Sequence, residues 1–111
     1  ADYELLDTAA ESTKELGQEL KVGNILSADT FYDDLGMDVM KKWAKMGTLA
    51  VEMESAGLYL TAARLGKRAL TLVTISDKPF TGEATTAEER QNTFTQMMEI
   101  ALETAVKMDK K

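Results

Sequence analysis

Arg68-Ala69-Leu70-Thr71-Leu72-Val73-Thr74-Ile75 is the stretch that decides the fold class. Apolar and β-branched residues follow one another without the polar alternation of a half-solvated strand, which predicts a central parallel strand covered on both faces. Upstream, Leu5, Leu6, Ala9, Ala10, Thr13 and Leu16 recur at helical spacing and Gly17 follows, so residues 3 to 16 read as an amphipathic helix with a glycine stop. Lys21 to Ser27 and Thr48 to Glu52 are short apolar runs that fit strands, separated by a helical pattern from Asp33 to Met46 that carries Val39, Met40 and Trp43. Met53 to Leu65 is apolar on nearly all sides, the pattern of a buried helix, and Gly66 stops it. Downstream, Asp77 to Thr85 is expected to be a loop, with Pro79, Thr81 and Gly82. Thr86-Ala87-Glu88-Glu89 has the capping-box form, and Phe94, Met97, Met98, Ala101, Leu102, Ala105 and Val106 then mark a helix running to the C-terminus.

The order αβαβαβα implies an α/β fold with a mostly parallel or mixed sheet. Three strands cover a stretch as apolar as Ala69 to Ile75 only thinly, so the expected architecture is a partial three-layer α/β/α arrangement, one segment of a larger domain. The chain opens on Ala1-Asp2-Tyr3, already inside a helical pattern, which fits the same expectation of a preceding portion. Further strands are expected from that portion or from a partner chain.

Composition narrows the chemistry. A formal charge of −6, from 19 acids against 13 bases, and the lack of basic clusters interleaved with aromatics argue against nucleic acid or an anionic membrane surface as partner. The basic run around Trp43 reads as a helix C-terminal preference. With no cysteine there is no disulfide framework, and a cytoplasmic setting is the default expectation. With no histidine either, the common Ser-His-Asp and Cys-His nucleophilic sites and most zinc sites are excluded, leaving carboxylates, Lys, Arg, Tyr, Ser and Thr. No metal and no cofactor are expected.

The carboxylates fall in two places, Ala50-Val51-Glu52-Met53-Glu54-Ser55-Ala56-Gly57 and Thr74-Ile75-Ser76-Asp77, each at the end of a strand-like run. In open α/β sheets the crevice beyond the carboxyl ends of the strands is the usual ligand site. Each acid also has an ordinary structural role open to it. A Glu at a helix start complements the macrodipole, and an Asp after a strand opens a turn. Taken singly, the structural role is the commoner one.

VEMES (51–55), TISD (74–77) and TGEATTAEERQNTF (81–94), in that order, resemble the bacterial high-molecular-mass purine nucleoside phosphorylases of the nucleoside phosphorylase family. VEMES alone is shared with uridine phosphorylases and with methylthioadenosine/adenosylhomocysteine nucleosidases; the TGE and TTAEERQ stretches favour the purine enzymes. The resemblance covers essentially the whole chain and places it as the C-terminal half of such a domain. It implies a pentosyltransferase of purine salvage that acts on a purine nucleoside with orthophosphate as co-substrate. It also implies a homohexamer built as a trimer of dimers.

For the site residues, the resemblance implies that Glu54 binds the ribose hydroxyls, with Met53 beside the sugar and Glu52 and Val51 lining the same pocket. Asp77 is implied as the general acid toward purine N7, Ser76 as its neighbour in the base subsite, and Arg90 as the arginine that pairs with Asp77 on closure. Burial of Asp77 after the apolar strand is expected to raise its pKa for that task. Phe31 is implied to stack on the base, with Tyr32 as the competing candidate. Without the resemblance, Arg90 reads as a surface residue paired with Glu83, Glu88 or Glu89. Lys78 stands where the family often has His or Ser. The family's phosphate-binding glycine loop and arginines belong to an N-terminal half, and no phosphate-binding residue is expected in this segment. Two other readings stand beside the phosphorylase: a nucleosidase using water, and a non-catalytic fragment or assembly module.

Overall fold

The computed structural model describes residues 1–30 and 36–111. Helix α1 spans Tyr3–Glu15; its N-cap is Asp2, whose carboxylate accepts from the Leu5 N–H at 2.9 Å, filling one of the donors a helix start leaves open. It stops as the sequence predicts. Gly17 adopts φ 70°, and the N–H groups of Gly17 and Gln18 turn back to the carbonyls of Lys14 and Thr13, a Schellman closure. Gly66, at φ 64°, ends a later helix in the same way through Ala63 and Ala62.

Strand β1 (Ile25–Ser27), helix α2 (Gly36–Lys45) and strand β2 (Ala50–Glu52) form a parallel βαβ unit. Ile25 pairs with Ala50, Leu26 with Val51 and Ser27 with Glu52, and flanking bonds from Leu49 N–H to Asn24 and from Ala28 N–H to Glu52 extend the ladder at both ends. Both strands are shorter than the apolar runs that announce them. The register sets Ser27 and Glu52 side by side at the carboxyl edge of the pair, where helix α3 (Ser55–Arg64) begins.

Helix α4 (Ala87–Asp109) packs on α1. The seam sets small and hydroxylated side chains, Thr8, Ala9, Ser12 and Thr13 of α1 and Thr104 of α4, around Ile100 of α4, all buried. Ser12, Thr13 and Thr104 each donate their hydroxyl to the carbonyl four residues back in their own helix, at 2.7 to 2.8 Å, so their polarity is satisfied without a partner across the seam. Thr8 differs. Its hydroxyl lies 3.5 Å from the Met108 sulfur and accepts from Lys111 Nζ at 3.0 Å. An ion pair between Lys107 and Glu15, at 2.6 Å, closes one side.

Three expectations are corrected. Among the described residues, 68–75 joins no sheet: its backbone is held at separate points, by Asp2 N–H on the Ala69 carbonyl and by the Tyr59 hydroxyl on the Thr71 N–H. Val73 and Ile75 remain 46% and 49% exposed, because a doubly covered strand needs neighbours and layers that the described residues do not supply. Helix α3, expected to be buried all round, buries only Ser55 and exposes Leu58 and Leu60, as well as Leu65 at its C-cap. The only extensive helix packing among the described residues is α1 on α4, so no second helix covers α3. Lastly, the expected loop from Asp77 to Thr85 contains a small antiparallel hairpin, β3 (Asp77–Lys78) with β4 (Glu83–Ala84). Five of the seven apolar residues of the stripe predicted for α4, including Met98, Leu102 and Val106, likewise face outward. No helix among the described residues is long and apolar enough to cross a membrane.

Candidate active site

The two acidic segments lie where strand-like runs give way to other structure, and the chain treats their carboxylates differently. At the end of β2 the backbone turns directly into α3. The first N–H groups of α3 need acceptors. Glu52 supplies one: its Oε2 accepts from the Glu54 N–H at 2.7 Å and from the Ser55 N–H at 2.8 Å. Ser27, its register partner on β1, accepts the next N–H, that of Ala56, at 3.0 Å. Burial pushes the Glu52 carboxyl up, but the backbone bonds from Glu54 and Ser55, with the Ser27 and Ser55 hydroxyls nearby, outweigh it and hold the group below its ordinary value of 4.5. Its other oxygen, Oε1, is buried and has no hydrogen-bond partner among the described residues.

Glu54 is the contrasting case. It occupies the N-cap position of α3, yet its side chain makes no cap bond; among the described residues its Oε2 accepts from the neighbouring Met53 N–H alone, at 3.2 Å, on an exposed surface. Met53 is 45% exposed beside it. The strand end therefore offers one carboxylate consumed by the fold and one presented outward. With the N–H groups of Glu54, Ser55 and Ala56 occupied and an anion already at the helix start, α3 does not offer the open amide cradle that phosphate binds elsewhere.

The second segment is joined to the first. Ser55 donates its hydroxyl to Thr71 Oγ1 at 2.8 Å, and Tyr59 of α3 accepts the Thr71 N–H at 3.0 Å. Thr71 thus docks the 68–75 run onto α3. Farther along, the Ser76 carbonyl accepts both the N–H and the hydroxyl of Thr85, at 2.9 and 2.7 Å, which cinches the base of the β3–β4 hairpin. Asp77 opens that hairpin and is exposed, so the burial expected for it is not supplied by the described residues. The Ser76 hydroxyl lies 3.2 Å from Asp77 Oδ2. Lys78 pairs across the hairpin with Glu83 at 3.4 Å.

Arg90 sits in the first turns of α4 and donates to the Thr85 carbonyl at 3.0 Å. Among the described residues it forms no ion pair, with Asp77 or with Glu83, Glu88 or Glu89. It is linked to Asp77 indirectly, through Thr85 and Ser76. The helix beneath it starts as the capping box predicts, with the Thr86 hydroxyl accepting the Glu89 N–H at 3.1 Å. Phe31 and Tyr32, the candidates for stacking on a base, lie outside the described residues. Ser27, Thr71 and Thr85, which hold these segments in place, were not singled out from the sequence. For Ser27 and Thr85 the one signal available was a hydroxyl at or next to a strand end, too common to act on alone; Thr71, in the middle of the 68–75 run, gave none. Among the described residues no group of three or more His, Cys, Asp or Glu is placed to hold a metal ion.

An α/β segment with outward carboxylates at two such ends fits a small-molecule enzyme of the open-sheet type. Residues 1–109 match the phosphorylase superfamily, and the chain belongs to that family. It is 58% identical over 105 residues to the DeoD-type purine nucleoside phosphorylase of Thermoanaerobacter sp. (strain X514), covering 95% of this chain and 45% of that protein. Enzymes of the same name from Geobacillus sp. (strain WCH70) and Clostridium perfringens (strain SM101 / Type A) are 52% and 53% identical, over 97% and 96% of this chain and again 45% of theirs. The chain therefore spans about half the length of the curated relatives it matches.

Proposed function

We propose that the complete protein is a purine nucleoside phosphorylase, and that these residues form its C-terminal half, carrying the nucleoside-binding and general-acid part of the site. The observation that carries the reading is the outward Glu54 carboxylate at the β2 end, in a chain 58% identical to a purine nucleoside phosphorylase.

Breaking the bond between ribose C1′ and the purine builds positive charge on the sugar and negative charge on the base. Phosphate oxygen forms the new bond to C1′ as the bonding pair leaves with the base. Glu54 accepts hydrogen bonds from the vicinal ribose hydroxyls, with Met53 against the sugar and Val51 and Glu52 at the same strand end. Asp77 gives its proton to N7 of the departing purine, with Ser76 beside it and Phe31 stacked on the base. Arg90, at present on the Thr85 carbonyl, is close in sequence and bonding to the hairpin that carries Asp77 and is the residue to pair with it when the site closes. No cofactor takes part, and phosphate is bound by residues outside this segment. The assembled enzyme is a cytoplasmic homohexamer, and the segment alone is inactive.

Cleavage of inosine and adenosine by the complete protein, with and without phosphate, tests the reaction. Ribose 1-phosphate should appear only with phosphate; undiminished turnover in phosphate-free buffer would sink the phosphorylase reading in favour of a nucleosidase. Asp77→Asn should lower kcat on adenosine by about 10²- to 10⁴-fold, the usual contribution of a positioned acid. Unchanged rates would remove Asp77 from that role.

A further inference from the structure

We infer that Glu52 is a positioning residue: it fixes the Met53–Glu54 backbone so that the Glu54 carboxylate faces the ligand, and it does not itself touch the nucleoside. This rests on the phosphorylase reading and deepens it, by dividing two glutamates of one motif between two tasks.

Three observations support the division. Glu54 sits at the turn from β2 into α3, with φ −121° and ψ −21°, neither regular helix nor extended strand. Its backbone is held there by Glu52, whose Oε2 takes the N–H of Glu54 and that of Ser55 together. Secondly, the usual occupant of an N-cap bond would be the cap residue's own side chain, yet the Glu54 side chain makes none. Because Glu52 performs the capping, the Glu54 carboxylate is free to point outward. Thirdly, Glu52 Oε1 is buried, so a ligand hydroxyl cannot reach it without displacing the chain, while Oε2 already accepts two bonds. Ser27 completes the arrangement by holding Ala56 N–H from the adjacent strand. The β1–β2 register that sets Ser27 beside Glu52 therefore determines where Glu54 points.

The test uses Glu52→Gln and Glu52→Ala in the complete enzyme. Glutamine retains a carbonyl oxygen able to accept the same N–H groups, whereas alanine retains none. For adenosine, Glu52→Ala should raise KM about tenfold, the scale of a lost helix cap converted to affinity, with a smaller change in kcat; Glu52→Gln should recover most of it. Binding of 2′,3′-dideoxyadenosine, which has no hydroxyls for Glu54 to hold, should change less than about twofold in either variant. Hydrogen exchange of the backbone amides of Glu54 to Ala56, read by mass spectrometry, should quicken in Glu52→Ala and stay near wild type in Glu52→Gln. An equal loss for adenosine and the dideoxynucleoside, or a glutamine variant as impaired as alanine, would show direct ligand contact and overturn the inference. If the wild-type enzyme cleaves no purine nucleoside, the functional reading fails by itself. If it does and the amides exchange unchanged in Glu52→Ala, the positioning role alone fails.

Discussion

Replacing Ser12 by alanine removes a hydroxyl from the most tightly closed part of the chain, the seam where α1 meets α4. Ser12 is 0% exposed, and a buried polar side chain at such a place is commonly taken as a tie between helices. Its bond runs elsewhere, to the Thr8 carbonyl at 2.8 Å, one turn back in the same helix. That carbonyl lies within α1 and keeps its helical N–H partner when the hydroxyl is gone, so the substitution strands no buried group. The loss is one intrahelical bond, net about 1 kcal/mol. Against it stands the better helix propensity of alanine, roughly 0.5 kcal/mol. Ser12→Ala should therefore change stability by less than about 1 kcal/mol. Thr8→Val in the same seam keeps shape but removes the hydroxyl that meets Met108 and Lys111 on α4 and just beyond it, and should cost about 1–2 kcal/mol. Equilibrium urea unfolding followed by far-ultraviolet circular dichroism, at matched protein concentration, compares the two. A Ser12→Ala loss above about 2 kcal/mol, or one exceeding that of Thr8→Val, would mean that the seam is held by hydroxyls bridging the helices, contrary to the intrahelical bonding described.

Two further outcomes are expected. Thr86→Ala removes the acceptor for the Glu89 N–H and should cost about 1 kcal/mol in the same unfolding measurement, with Thr86→Asp restoring it; equal losses in both variants would contradict the capping role. The Glu52 carboxyl is held below its ordinary value of 4.5 in the folded chain, so its contribution to stability is complete above that value and is lost as pH falls through the lower folded value. Unfolding scans from neutral to strongly acidic pH should therefore show a shallower acid loss in Glu52→Gln than in wild type, and identical slopes would show that Glu52 is not the titrating group.

Much of the architecture was legible because it is written in local chemistry. Gly17 and Gly66 ended their helices as expected, since a left-handed closing residue is a requirement of a single turn and needs nothing distant. The parallel β1–β2 pairing followed from alternation of element types alone. The 68–75 run is the most strand-like stretch by sequence but forms no strand among the described residues, because strand pairing is a property of neighbours and none pairs with it there. The same reason left α3 and its C-cap exposed at Leu60 and Leu65, at 65% and 67%. At the site, the sequence located the acids without separating them. Glu52 and Glu54 are the same residue type two positions apart, and only the turn from β2 into α3 determines which one folds back and which faces outward. Of the two roles weighed from sequence, the helix-start role falls to Glu52, and the exposed Glu54 carboxylate is the one left for the proposed ligand role.

The unpaired 68–75 run also has a practical side. Apart from the Ala69 carbonyl and the Thr71 N–H, its backbone groups have no backbone partner among the described residues; with Val73 and Ile75 half exposed and no proline or acidic residue to interrupt it, the run is an open template onto which another extended chain can add. Polypeptide made from these residues by themselves therefore carries its own seed for aggregation. Recovering it in soluble form calls for a covering companion during expression, because changing the run would alter the segment that leads into Asp77.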